Sequence, residues 1–263
     1  MPELPDVEGF KHCLDQHALN RRIRQVHAPD ANMLKDTTPQ GLGTRLKDRR
    51  FVQSRRHGKY LFAQTDRADW MVMHFGMTGD LSWHASMDAS PRYAAVIYDF
   101  GNADCLVYSS QRRLGRVEWT DDADAYVRAR DLGPDAMDEA FTGEQFIQRL
   151  SGHHGMLKSA LMNQSIIAGI GNVWSDEILF QCGLWPKTRI PDMNKKTLRN
   201  VYRAMRRILG VASRRMAESK PLPDNYLTAH REDGTCPRCR TSIRKIRVSG
   251  RNSRYCPNCR QGD

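Results

Sequence analysis

The chain has 263 residues, 40% of them hydrophobic, and a formal charge of +11. That length suits two domains with real cores. No run is long and apolar enough to span a membrane and no signal-peptide pattern precedes the first predicted helix, so the chain reads as a soluble, cytoplasmic protein. The charge is uneven: from Lys187 onward there are 20 Lys and Arg against 6 Asp and Glu, whereas the first 186 residues carry 21 against 24. A basic last third facing a slightly acidic remainder points to a polyanion partner, most often nucleic acid.

The N-terminus, MPELPDVEGF, crowds two prolines and three acids into eight residues. From Pro5 onward it predicts a helix: Pro5 suits the first turn, Asp6 and Glu8 suit its positive end, and Val7, Phe10 and Leu14 share one face. That reading leaves Pro2 and Glu3 without a purpose. Further along, LKSALMNQSIIAGIGNVWSDEILFQCG has helical patterning on both sides of AGIGN. Gly169 and Gly171 break the helix, Asn172 is the expected cap of the next one, and Asp176 and Glu177 fall near its first turns. Exposed N–H groups at such a glycine-rich start could hold a phosphate. A second long helix is predicted over Lys195–Met216, with Leu198, Val201, Met205, Ile208 and Leu209 on its apolar face and a heavily basic opposite face.

Seven cysteines are present. Cys13 and Cys182 sit among apolar helical positions as expected free thiols. CPRC (Cys236, Cys239) and CPNC (Cys256, Cys259) form two knuckles separated by sixteen residues, a spacing that predicts a zinc ribbon. Four thiolates leave no open position, so one structural Zn2+ is expected. Between the knuckles, TSIRKIRVSGRNSRY predicts two short strands with a turn at GRN, placing Arg251 at the tip of a basic finger.

Taken in order, MPELPDVE, HGKYLF, MHFGMTG, RRLGR, LGPDAM, MNQSIIAGIGNVWSDEILF and the terminal CxxC…GR…CPxC resemble the formamidopyrimidine-DNA glycosylase and endonuclease VIII family over nearly the whole chain. The resemblance implies an α+β multidomain fold: an N-terminal catalytic β-sandwich with flanking helices (1–130), a linker (131–140), a helix–two-turn–helix domain (141–225) and a zinc finger (226–263). It implies a monomeric, bifunctional DNA glycosylase and AP lyase of base excision repair, nucleoid-associated in a bacterium. Its partner would be double-stranded DNA containing oxidised bases or abasic sites, cut by β,δ-elimination. The alternative is a catalytically silent lesion-binding protein on the same scaffold, which would need neither Pro2 nor Glu3.

The resemblance also gives the opening residues a use. Met1 is removed in this family, and the amine of Pro2 becomes the nucleophile that forms a Schiff base. Glu3 is the general acid. Lys59, grouped with these two, sits where the family has a strand lysine touching a phosphate beside the lesion. His74 matches a phosphate contact. Met77, Arg112 and Leu114 match side chains inserted where the base has left the stack. Lys158, Asn172 and Arg251 complete the implied phosphate clamp. The sequence departs from the family at Asp6, where many members have Glu, and at Leu114, where the 8-oxoguanine enzymes have Phe. Ser110–Gln111 stands in place of Asp–Pro. The stretch from Glu218 to Thr235 offers little room for the long glycine-rich loop that caps an extruded 8-oxoguanine in the guanine-type enzymes.

Overall fold

The computed structural model describes residues 1–86, 91–231 and 234–260. The chain divides into two compact units, one of residues 1–2 and 6–130, the other of residues 3–5 and 131–263.

In the first unit, α1 (Leu4–His17) and α2 (Pro39–Leu46) flank two antiparallel sheets. One sheet has the order β1 (Gln25–His27), β6 (Ala94–Gly101), β7 (Asp104–Ser110), β5 (Gly79–His84). The other runs β2 (Phe51–His57), β3 (Tyr60–Thr65), β4 (Trp70–His74), β8 (Arg116–Thr120), and α3 (Ala123–Ala129) follows it. Period-two alternation sets the register. Leu61 lies opposite Met73, which lies opposite Val117, and all three are buried in one cluster. Tyr98 and Leu106 pair likewise in the other sheet and join the same cluster. Val7 and Leu14 of α1 pack into this core as their spacing predicts, with Phe10 against its edge.

The second unit is helical, with α4 (Gly143–Leu150), α5 (Leu157–Met162), α6 (Asn172–Gln181) and α7 (Lys195–Ala217), followed by the hairpin β9 (Arg244–Val248) and β10 (Arg251–Tyr255). The predicted apolar face of α7 is buried from Leu198 to Leu209. Helix α6 shows little amphipathicity because Trp174 through Phe180 are all buried, so it is a central helix covered on every side. The hairpin turn is Ser249–Gly250, both at positive φ (46° and 79°), not GRN. A two-residue turn of that hand matches strand twist, and Arg251 becomes the first residue of β10.

Candidate functional site

Glu3 is almost wholly buried, and its carboxylate sits at the start of α6. It accepts hydrogen bonds from the backbone N–H groups of Gly171 (2.7 Å), Val173 (2.9 Å) and Trp174 (3.2 Å). The expected cap is therefore displaced: Gly171, which has no side chain, is the N-cap, and a carboxylate 168 residues away in sequence does the capping. The same N–H groups are consequently not a vacant phosphate cradle. The positive end of a helix favours an anion there. Gly169 makes the approach possible. Its φ is +111°, and a Cβ on it would fall 2.6 Å from the Leu4 side chain, whose backbone N–H donates to the Gly169 carbonyl at 3.0 Å. Pro2 immediately precedes this anchored carboxylate and is half-buried, and Met1 is exposed.

Asn172 turns away from capping and donates to the carbonyl of Asn252 in β10 at 2.9 Å, leaving its buried Oδ1 without a hydrogen-bond partner. Asn172 and exposed Arg251 are thereby tied to one hairpin. Lys158 is placed differently from the other clamp candidates. It is 0% exposed, and its ammonium pairs with the Asp176 carboxylate rather than facing solvent. Asp176 also accepts from the Ser253 hydroxyl (2.6 Å) and the Arg254 backbone N–H (3.0 Å), with the Arg231 guanidinium 3.6 Å away. Glu177, likewise buried, accepts from the Thr228 N–H and hydroxyl, both at 2.8 Å. These two acids, which the sequence suggests as partners of the helix dipole, instead hold the finger and the segment before it. Burial raises the Glu177 carboxyl above its usual range, against the pull of its hydrogen bonds from Gln181 and Thr228.

In the first unit, Gly58–Lys59 forms the two-residue turn joining β2 and β3, so Lys59 is a buried turn residue rather than a strand residue. Tyr60, next to it, pairs with His74 across β3 and β4, and the rings lie 4.8 Å apart. Burial, reinforced by Arg116, Lys59 and Arg130, pushes the His74 imidazole down to about 4. A neutral ring fits its Nδ1 accepting from the Gly76 N–H at 3.3 Å. A network that sequence reasoning missed lies beside it. Arg116 donates to the Tyr60 hydroxyl (2.7 Å), and Glu118 takes Arg116 (3.1 Å), Arg130 (2.5 Å) and the Tyr126 hydroxyl. Only the R in RRLGR followed by alternating strand residues could have hinted at it.

Met77, Arg112 and Leu114 come together on two touching loops. Gly76, at φ +59°, lies so close to the Leu114 backbone that a Cβ would meet it at 2.4 Å, and the Arg112 N–H donates to the Thr78 hydroxyl at 2.9 Å. Met77 is 41% and Leu114 53% exposed. Large apolar side chains held out on a braced pair of loops are what a wedge into a base stack requires.

The four terminal cysteines also converge. Their sulfurs lie within 4.8 Å of one another, with Cys236–Cys259 at 3.7 Å and Cys239–Cys256 at 3.4 Å. Those separations are far beyond a disulfide's roughly 2.05 Å. They suit a tetrahedron of thiolates about 2.3 Å from one zinc ion. The four thiolates constitute one structural zinc site. Arg238 fastens the finger to the end of α6, donating to the carbonyls of Phe180 (3.2 Å) and Gln181 (3.3 Å).

Three family models match in order: the formamidopyrimidine-DNA glycosylase N-terminal domain over residues 1–117, its H2TH domain over 132–220, and a zinc finger found in FPG and IleRS over 234–262. A formamidopyrimidine-DNA glycosylase of Synechococcus elongatus is 30% identical over 275 residues, covering 98% of this chain and 97% of that protein. This chain belongs to the formamidopyrimidine-DNA glycosylase family. Another formamidopyrimidine-DNA glycosylase, from Pelotomaculum thermopropionicum, is 29% identical over 283 residues and covers 99% of both chains. Among solved structures, a Lactococcus lactis FPG variant in complex with Fapy-dG-containing DNA superposes with a TM-score of 0.86 at 26% identity, over 99% of this chain and 100% of that one. Membership of the formamidopyrimidine-DNA glycosylase family fits the α+β architecture: sandwich, helical H2TH domain and zinc finger. No helix among the described residues is long and apolar enough to cross a membrane.

Proposed function

We propose that this protein is a DNA glycosylase with AP lyase activity that acts on oxidised bases and abasic sites in duplex DNA. The observation that carries the reading is the buried Glu3 carboxylate, directly after Pro2 and clamped by three N–H groups at the start of α6. The cap alone would serve a silent binder as well, but a proline whose amine directly precedes it serves only chemistry. Lactococcus lactis relatives bound to abasic-site DNA and to Fapy-dG-containing DNA support the choice of substrate.

In this reading Met1 is removed, as a small second residue permits. The freed Pro2 amine is then secondary, with an α-amino reference pKa of about 8 that leaves a useful neutral fraction near pH 7. Its nitrogen attacks the sugar C1′, the C1′–N bond to the base breaks, and the base leaves with that electron pair and takes a proton from water. The Glu3 carboxylate takes the proton that the bonded Pro2 nitrogen sheds and passes it to the ring oxygen as the C1′–O4′ bond opens, and the resulting iminium acidifies the C2′ proton. Loss of that proton expels the 3′ phosphate, and a second elimination expels the 5′ phosphate. His74, Asn172 and Arg251 contact phosphates, with the neutral His74 ring donating from Nε2. Met77, Arg112 and Leu114 fill the stack. Lys59 holds a phosphate beside the lesion, and Lys158 supports the clamp from behind through Asp176.

The segment before the finger supports a substrate preference. Tyr226 and Leu227 are buried, Glu177 holds Thr228, and the Gln181 amide donates to the Asn225 carbonyl at 3.0 Å. Among the described residues of this segment, Glu218–Pro223 is what remains to arch, since the His230 ring contacts the Asp224 carbonyl at 2.6 Å, and it contains Pro221 and Pro223. So short a span favours lesions that flip without a cap, such as hydantoins and oxidised pyrimidines, over 8-oxoguanine.

Borohydride trapping on an abasic duplex tests the mechanism. The N-terminal peptide is expected to carry the DNA, and Glu3→Gln is expected to lose base excision far more than binding. Trapping that maps to a lysine, or that survives Pro2→Gly at full rate, would refute the proline assignment.

A further inference from the structure

Helix α7 contains no Asp or Glu in its 23 residues, Lys195–Ala217. At 3.6 residues per turn, Lys196, Arg199, Arg203, Arg207 and Arg214 fall within about 80° of arc, opposite the buried stripe of Leu198, Val201, Met205, Ile208, Leu209 and Ala212. All five basic residues are exposed. Glu144 approaches Arg199 at 3.8 Å and Glu218 feels the charge of Arg214, but no acidic side chain among the described residues lies within ion-pair distance of Arg203, Arg207 or Arg214. Arg206, at the edge of the arc, is occupied differently, donating to the carbonyls of Ala136 (3.2 Å) and Asp138 (2.6 Å).

A helix face that merely faces water usually mixes its charges. Here like charges stand at i,i+4 (Arg199–Arg203–Arg207), an arrangement that destabilises an isolated helix. The row is also separate from Glu3 and Asn172. Arg207 bears electrostatically on Cys182, the C-cap of α6, and on Tyr226. Glu3 and Asn172 lie at the other end of α6, about 15 Å along its axis. The arc itself holds Gly210 and no large apolar side chain, and Tyr202, Val211 and Met137 beside it are half-buried against the core rather than standing out as anchors for a protein partner. A straight row of single-sign charges about 27 Å long complements the row of phosphates along a nucleic-acid strand.

We propose that the outer face of α7 is a second phosphate-backbone contact, holding a DNA segment other than the one that carries the lesion. Such a contact lets one molecule touch two stretches of duplex at once and pass between them.

The test saturates the protein with a short duplex bearing a non-cleavable abasic analogue, then titrates in a labelled, undamaged 30-bp duplex. Binding of the short duplex reports on the lesion site, so failure there is separable from failure of this proposal. The preloaded wild-type protein is expected to bind the second duplex, with a log–log salt slope of about −3 for three to four phosphates. Arg203→Ala/Arg207→Ala/Arg214→Ala is expected to weaken that second binding at least about tenfold and flatten the slope, since each lost phosphate contact removes about 0.9 from it. The same variant should change short-duplex affinity and single-turnover excision less than about twofold, and keep its zinc and unfolding temperature, as surface substitutions do. Replacing the three arginines by lysine should retain the second binding, because lysine serves as a point charge for phosphate. The proposal is overturned if the preloaded protein binds no second duplex, or if the alanine variant binds both duplexes as the wild type does. It is equally overturned if both bindings fall together, which would make the row part of the lesion interface. Displacement of the second duplex by polyglutamate more readily than by undamaged DNA of equal charge would assign the face to an acidic protein and also overturn it.

Discussion

Replacing Asp176 by Asn removes one charge from a side chain on which Lys158, Ser253, the Arg254 backbone and Arg231 converge. The amide has nearly the same size and keeps one oxygen for the Arg254 N–H, so the change falls mainly on Lys158, whose ammonium is left buried and unpaired. Burial lowers the tendency of that ammonium to stay charged, and Asp176 is what opposes the effect. Breaking one side of a buried ion pair costs about 3–5 kcal/mol, whereas replacing both partners by neutral groups is often neutral or better. Asp176→Asn is therefore expected to lower stability by about 3 kcal/mol or more. At about 2–4 °C per kcal/mol for a unit of this size, the melting temperature should drop by roughly 6–12 °C. Adding Lys158→Met removes the stranded charge, and the double variant should recover at least about 2 kcal/mol of the loss. Urea unfolding of the four zinc-loaded proteins closes the cycle and gives the coupling energy. A single variant within about 0.5 kcal/mol of wild type, the range of ordinary surface changes, would refute the reasoning. So would a double variant no more stable than Asp176→Asn.

Three other outcomes are expected. His74 should titrate near 4 in the free protein rather than at the usual 6.5, and an imidazole NMR midpoint near 6.5 would contradict its enclosure by Arg116, Lys59 and Arg130. Because the unfolded chain takes up that proton at the higher pH, this residue makes stability fall as the pH drops from about 6.5 towards 4. Cys256→Ser should release the zinc, read by a colorimetric chelator, and loosen the cluster of Phe180, Leu227, Cys236 and Cys256. DNA affinity should fall with it, whereas Arg251→Ala should lose affinity with its zinc in place. In single-turnover assays at matched salt and flanking sequence, excision of 8-oxoguanine opposite cytosine should be slower than excision of a hydantoin. Missing polar contacts can discriminate by several orders of magnitude, and 8-oxoguanine as the fastest substrate would show that the base is held by something other than a cap.

Features that depend on near neighbours in the chain were legible from the sequence. The apolar stripe of α7, the inward face of α1 and the two knuckles of the zinc finger follow from helical period and ligand spacing, which act over a few residues. The ordered motifs likewise placed the chain in its family. Local rules failed where a distant group took over a local task. Asn172 has the chemistry of a cap, yet the N–H groups at the start of α6 are satisfied by Glu3, and no neighbour-based rule can foresee a partner 168 residues away. The same applies to Asp176 and Glu177, which read as first-turn acids of an exposed helix end. Because α6 is buried on every side, their carboxylates need dedicated donors, and they find them in the hairpin and the pre-finger segment. Exposure of Met77 and Leu114 was also beyond the composition, since an isolated apolar residue is core by default. Gly76, packed against the Leu114 backbone at a positive φ, holds the two loops together and leaves those side chains outside. Sequence determined which surfaces are apolar, which are charged and where a metal is held; tertiary packing decided which buried polar groups meet, because each must find a partner wherever in the chain that partner lies.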